Sequence, residues 1–328
     1  MARHTLSLAT IGALATVSVV LLAIGARAEA SYMFTTIDYP GASSSEANGI
    51  NAAGDIVGDY TDARGSIHAF TLNARGYASF DVPGAAGFSS ANGIDSTGQI
   101  VGLYSDTRST RAYLRNGGTY TDLVPFAGSS FTQALSINDS GHVVGSYRDA
   151  ASTPHGFLFD GRLYTTLDGP SATSTVAIGI NNAGSIVGTF VAAGQRHGFL
   201  LNGGSYTPLD VPVAAFTVAE GINDSGQIAG LYTDADSAFH GFVLDGGVYM
   251  PLDVPGATLT QAFAINNAGH VVGYYEDASG GGHGFRAIPV PEPGAFALAV
   301  FGGLALVVGR SGRDRTRICD LLHVKQAL

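Results

Sequence analysis

One short pattern recurs six times along this chain, and a repeat of that length dictates the kind of fold before any single residue is considered. Its fullest form reads Gly-Ile-Asn-x-x-Gly-x-Ile-Val-Gly, then an aromatic, an acidic loop and His-Gly-Phe-x-Leu. The repeated isoleucine falls at Ile50, Ile94, Ile137, Ile180, Ile222 and Ile265, in steps of 44, 43, 43, 42 and 43 residues. Self-similarity near that period marks an array of identical supersecondary units, none of which can bury its apolar face alone.

Within each copy, four short extended segments alternate with turn residues. In the fifth copy they run 219–223, 227–232, 240–244 and 248–254. The first turn, Asn223-Asp224-Ser225-Gly226, and the third, Asp245-Gly246-Gly247, place glycine where a hairpin needs positive φ. Helical periodicity is absent from the repeats. Four antiparallel strands in about 43 residues, six times over, predict an all-β fold, a six-bladed β-propeller. The segment 34–42 reads as a fourth strand, matching 80–85 and 252–257, whereas the sixth copy stops after its third strand at His283-Gly284-Phe285. An orphan strand at one end therefore completes an unfinished blade at the other and closes the ring. The alternative is an open β-solenoid, which would leave unpaired edges.

Both ends of the chain carry a different grammar. Arg3 and His4 precede 22 uncharged residues, 5–26, followed by small-x-small sites at Ala26-Arg27-Ala28 and Ala28-Glu29-Ala30. Residues 1–30 read as a secretory signal peptide, which implies export and a signal peptidase; an uncleaved anchor is the other reading. Near the C-terminus, Pro291-Glu292-Pro293 precedes the uncharged run 294–309 and then Arg310, Arg313, Arg315 and Arg317. An apolar stretch backed by positive charge is a stop-transfer arrangement, so 294–309 is expected to be transmembrane.

The order Pro-Glu-Pro, apolar run, arginine cluster over 289–317 resembles the PEP-CTERM sorting signal of Gram-negative bacteria. The resemblance implies an exosortase-type enzyme that recognises Pro291, Glu292 and Pro293, an inner-membrane intermediate, and a final place at the cell surface or outside the cell. The tail 318–328, which holds the sole cysteine, Cys319, extends further than such signals do. The repeats, 31–288, carry no cysteine and hence no disulfide framework. Their signature, His68-Ala69-Phe70 and His-Gly-Phe from His155, His197, His240 and His283, resembles the HAF repeats of bacterial extracellular proteins; the second copy departs with Arg111-Ala112-Tyr113. That resemblance implies location and architecture rather than chemistry.

Composition removes whole classes of function. Between Ser31 and Val290 there are 22 acidic residues against nine arginines and no lysine. Such a surface repels polyanions, so nucleic acid is excluded as a partner, and Schiff-base and phosphate-loop lysines are absent. The 46 glycines recur at fixed positions and read as turn and packing residues. No Gly-x-Ser-x-Gly, His-Glu-x-x-His, Cys-x-x-Cys or dinucleotide fingerprint occurs, and the uniform copy length marks out no blade as an active site.

Two repeated sets remain as candidates. His68, His155, His197, His240 and His283 occupy equivalent positions, too far apart around a ring to share one metal; the expectation is that each is structural and bonds a backbone group or an aspartate. Asp62, Asp106, Asp149, Asp234 and Asp277 lie in the loop between second and third strands, and the fourth copy lacks one. If they encircle one mouth of the channel, they form an acidic concavity suited to Ca²⁺ or a cationic ligand; the alternative is that aspartate is simply a good turn residue. The sequence thus supports a binding or scaffolding module of the extracellular matrix or biofilm, with polysaccharide or a matrix protein as partner and no catalytic residue assigned. The competing reading is a polysaccharide lyase or hydrolase working at the channel mouth.

Overall fold

The computed structural model describes residues 31–290, apart from 125, 127, 128, 130 and 213. Residues 1–30, expected to be a signal peptide, the Pro291-Glu292-Pro293 motif, the apolar run 294–309 and the tail 318–328 lie outside the described residues. Those described are strands and turns, and no helix among them is long and apolar enough to cross a membrane.

Each repeat is a four-stranded antiparallel blade. Blade I consists of Ser44–Ile50, Ile56–Thr61, Ile67–Asn73 and Gly76–Phe80, each strand paired with the next. The fifth blade shows how closely the sequence segments anticipate the strands, which run Phe216–Ile222, Ile228–Thr233, Phe239–Asp245 and Val248–Pro251. The hairpins between them turn where expected, on Gly226 at φ 81° and on Gly246 and Gly247 at 57° and 84°, conformations that cost glycine little.

The first strands of all six blades line the axis, and each touches its counterparts in the two neighbouring blades; that of blade VI, Leu259–Ile265, returns to that of blade I. The N-terminal strand, Ser31–Ile37, pairs antiparallel with Gly282–Val290, from Ser31 opposite Val290 to Ile37 opposite Gly284. Blade VI therefore takes its fourth strand from the start of the chain, as the sequence predicts, and the cycle of contacts excludes the open solenoid. The last strand runs to Val290, two residues beyond the expected boundary at 288, and directly abuts Pro291.

The core lies between blades rather than within them. One cluster joins Ile37 and Val272 of blade VI to Ala47, Ile50, Ile56 and Phe70 of blade I. The aromatic of every His-Gly-Phe or equivalent triplet, Phe70, Tyr113, Phe157, Phe199, Phe242 and Phe285, is fully buried. The middle residue of the triplet must be small because its own outer strand and the next blade both press on it: a Cβ on Gly156 would sit 2.8 Å from Leu167 O and 3.3 Å from Ala177 N. Each axial strand carries a β-bulge, between Ala47 and Gly49 in blade I and at the equivalent place in the others. The bulge turns the residues beside it toward the axis.

Candidate functional site

The repeated histidines are built into the blades. His68 Nδ1 lies 2.9 Å from Asp81 Oδ2 at the end of the fourth strand, and its Nε2 lies 3.6 Å from Asp62 Oδ2. His155 joins Asp168 and Asp149, His240 joins Asp253 and Asp234, and His283 joins Asp38 and Asp277, all with the same geometry. His197 has Asp210 alone, because the fourth copy has no loop aspartate. Tyr60, Tyr147, Tyr232 and Tyr275 stack on the imidazoles at 5.1–5.3 Å. In blade II, Arg111 does the histidine's work and bridges Asp106 and Asp122 at 3.1 and 3.3 Å. Burial alone would lower His155 and His240, but hydrogen bonds and charge from their paired aspartates outweigh it and raise both.

The loop aspartates are consequently not a ring of free carboxylates. Asp62 Oδ1 accepts the N–H groups of Arg64 and Ser66, and Asp277 Oδ1 accepts those of Ser279 and Gly281 plus the Ser279 hydroxyl. These bonds hold both carboxyls below the usual carboxylate range, Asp277 at about 2. Asp106, Asp149 and Asp234 are engaged in the same way. None of the five lines the channel, and no group of three or more His, Cys, Asp or Glu among the described residues could hold a metal ion. The five aspartates serve their own turns and the blade histidines or Arg111, and they line neither of the two channel cavities. Period fixes a residue's angle around the ring but not its radius, and the loops place these residues outward, over the histidines.

The channel itself holds the unshared chemistry. The six repeated isoleucines form a constriction common to two cavities. On one side is a small polar recess of about 80 Å³, rimmed by the first-turn residues. Here Asn51 donates to Asp95 O, Asn138 to Asn181 O, Asn181 to Asn223 O, Asn223 to Asn266 O and Asn266 to Asn51 O, at 3.0–3.1 Å. On the other side is a cavity of about 430 Å³ whose wall breaks the sixfold symmetry. At the position after the bulge alanine the blades present, in order, Asn48, Asn92, Leu135, Ile178, Glu220 and Phe263. Glu46 and Asp59 face each other on paired strands of blade I and also line the cavity.

Asp59 sits in a hydrogen-bonded corner. Its Oδ2 is 2.6 Å from Ser90 Oγ and accepts Asn48 Nδ2 at 2.9 Å. Ser90 Oγ is also 2.9 Å from Asn92 Oδ1, while Asn92 Nδ2 is committed to Ala134 O. The Ser90 hydroxyl thus donates to Asp59 Oδ2 and, over a longer distance, to Asn92 Oδ1. Burial raises the Asp59 carboxyl, against the hydrogen bonds from Ser90 and Asn48. Burial and the adjacent Asp59 push Glu46 up to about 7. Glu220 is pushed up to about 7 by burial, against the pull of the Arg196 charge, and no hydrogen bond or ion pair to its carboxyl occurs among the described residues.

Glu46, Asp59 and Glu220 escape a reading based on the repeat. Such a reading attends to what the copies share, and these residues occupy positions where the copies differ. The signal was nonetheless present: aligned on the bulge alanine, Glu46 stands where Ser90, Gln133, Val176, Val218 and Gln261 stand in the other copies.

No family model matches the chain, and no curated protein matches it. Among solved structures, TolB from Acinetobacter baumannii is similar at 12% identity and a TM-score of 0.51, over 73% of this chain and 64% of that one. This chain therefore spans less than two thirds of the TolB chain it matches. A fungal lectin from Aleuria aurantia, a six-bladed β-propeller with a fucose recognition mode, aligns at 12% identity and a TM-score of 0.46 over 79% of this chain and 99% of the lectin. The gluconolactonase XC5397 from Xanthomonas campestris aligns at 12% identity and a TM-score of 0.47 over 79% and 90% of the two chains. The chain is a β-propeller. At such identities the likeness concerns fold alone, and this propeller's chemistry has to be read from its own channel.

Proposed function

We propose that this protein is an extracellular binding module, exported through residues 1–30, sorted through Pro291-Glu292-Pro293, and acting in the matrix by holding a ligand in the larger channel cavity. One observation carries the reading. Six nearly identical blades build a uniform scaffold, and the residues that break the uniformity, Glu46, Asp59 and Glu220 with Asn48 and Asn92, converge on one cavity. A cavity mixing apolar walls with a few convergent polar groups is the ordinary form of a ligand site. Carboxyls half-buried in a channel wall cost stability, so their concentration there supports a function other than folding.

The test uses the full chain purified from its own cells and titrated with fragments of that organism's extracellular polysaccharide and with its small matrix metabolites. Binding should be lost in Glu46→Gln/Glu220→Gln and retained in Asp62→Asn/Asp277→Asn. The opposite pattern would move the site to the outer loops. A second reading rests on the Glu46–Asp59 pair, since a carboxyl near 7 beside a second one is equipment for acid–base catalysis. Turnover of a polysaccharide by the wild type, abolished in Glu46→Gln with binding intact, would favour it over binding alone.

A further inference from the structure

We propose that the larger channel cavity takes a small organic monocation, an ammonium group on an apolar body, with the charged head between Glu220 and the Glu46–Asp59 pair. The inference rests on the channel being the binding site and adds the class of ligand. Of the residues lining the cavity, three are carboxylic acids and none is Arg, Lys or His. Glu220 faces into it with no hydrogen-bonding or ionic partner among the described residues, and its nearest cation, Arg196, lies over the Phe216 ring instead. Phe263 of blade VI stands between the acids of blades V and I. An aromatic ring flanked by carboxylates attracts an ammonium both by charge and through its π face. Leu135 and Ile178 supply an apolar wall for the rest of the molecule.

Burial favours the protonated form of the channel acids, where the ligand would place its charge. Binding is then an exchange: the protonated site and the ammonium ion give the ionised site with the cation bound plus one proton released to solvent, so charge balances. Asp59 faces Glu46 and shares that proton with it, the two titrating as a pair. The other neighbour of Glu46 is Tyr274, whose hydroxyl donates to Glu276 at 3.1 Å. Near Asp59 is Tyr113, held by Ser90 O at 3.0 Å. Beside Glu220 there is Arg196. The tyrosines are raised by burial and stay neutral through the relevant range. A divalent metal is the poorer occupant, because the acids do not gather three ligands around one point.

The test is calorimetric titration of the full chain with benzyltrimethylammonium and benzyl alcohol, each in phosphate and in HEPES at pH 7, and with calcium chloride in HEPES alone. The ammonium should bind at least tenfold more tightly than the alcohol and release about half a proton at pH 7, rising towards one at pH 6, read from the difference between buffers. Its affinity should rise up to about tenfold per pH unit below 7 and level off above, as exchange of one proton requires. Glu220→Gln should lower that affinity about tenfold or more while leaving the thermal transition cooperative and its midpoint no lower, with Glu46→Gln as the second variant. Equal affinity for the alcohol, or binding without proton release, would overturn the cationic ligand. If the alcohol's binding were still lost in Glu220→Gln, the channel would stand as the site. Calcium binding sensitive to the same variants would replace the organic cation by a metal. No binding by any probe would remove the inference, and the polysaccharide titration would then decide the wider reading separately.

Discussion

Asp95 is the one break in the ring of amides at the narrow mouth. Its five counterparts are asparagines that donate Nδ2 to the carbonyl of the next blade, but a carboxylate has no such donor. Oδ1 of Asp95 is occupied by the Thr97 and Gln99 N–H groups, whereas Oδ2 is buried with no hydrogen-bond partner. Asp95→Asn should complete the sixth link and raise stability by about 1–3 kcal/mol, because an unsatisfied buried acceptor is exchanged for a bonded donor; equilibrium denaturation at pH 7 measures it, and a lower midpoint would refute the account. Glu220 gives the complementary case. Its folded value of about 7 lies above the ordinary glutamate value of 4.5, so the folded state binds the extra proton and stability falls as pH rises. The penalty is absent below about 4.5, grows up to about 7 and is then complete at about 3 kcal/mol. Glu220→Gln should therefore stabilise the protein at pH 8 and change little at pH 4. A pH-independent difference would show that Glu220 is ionised at no cost.

At the scale of the blade, what the sequence made plain was whatever alternation and turn chemistry determine. Strand positions in the fifth copy, the glycines of its turns and the orphan strand at 34–42 all follow from those rules. Radius and facing were hidden. The spacing of the loop aspartates suits a circle at the mouth, yet their own turns and the histidines claim them. The channel acids were missed because each axial strand carries a bulge, so strict alternation does not report which residues face inward. Those bulges also fix how closely blades approach. A Cβ on Gly49 would meet Asn92 O at 2.6 Å in the next blade, with Val57 and Gly93 close behind. Gly49→Ala should cost about 1–3 kcal/mol by overpacking. Ala52→Ser, on an exposed turn of the same blade, should be nearly neutral; paired thermal melts of the two variants test the difference.

For the whole ring, closure is a local device with a global effect. The seven residues Ser31–Ile37 supply the outer strand of blade VI, and Asp38 just beyond them holds His283 at 3.0 Å. Their removal would expose the edge of Gly282–Val290 and take Ile37 from the core shared with blade I. Deletion of 31–37 should lower the melting temperature by more than 10 °C, on the order of several kcal/mol for the lost strand pairing and burial, and should broaden the transition as blades unfold separately. An unchanged, sharp melt would mean that the six axial contacts alone close the ring.

The register that sets Ser31 beside Val290 also decides how the ring bears a load. A pull between these two residues would peel the closing strand from its partner one hydrogen bond after another, the weakest way to strain a sheet. A pull on Val290 alone acts along a strand bonded on both sides, to Ser31–Ile37 and to Val271–Glu276, and is resisted by many bonds in shear together. Mechanically the ring is a pennant, strong when flown from its 290 corner and easily torn when stretched between its two ends.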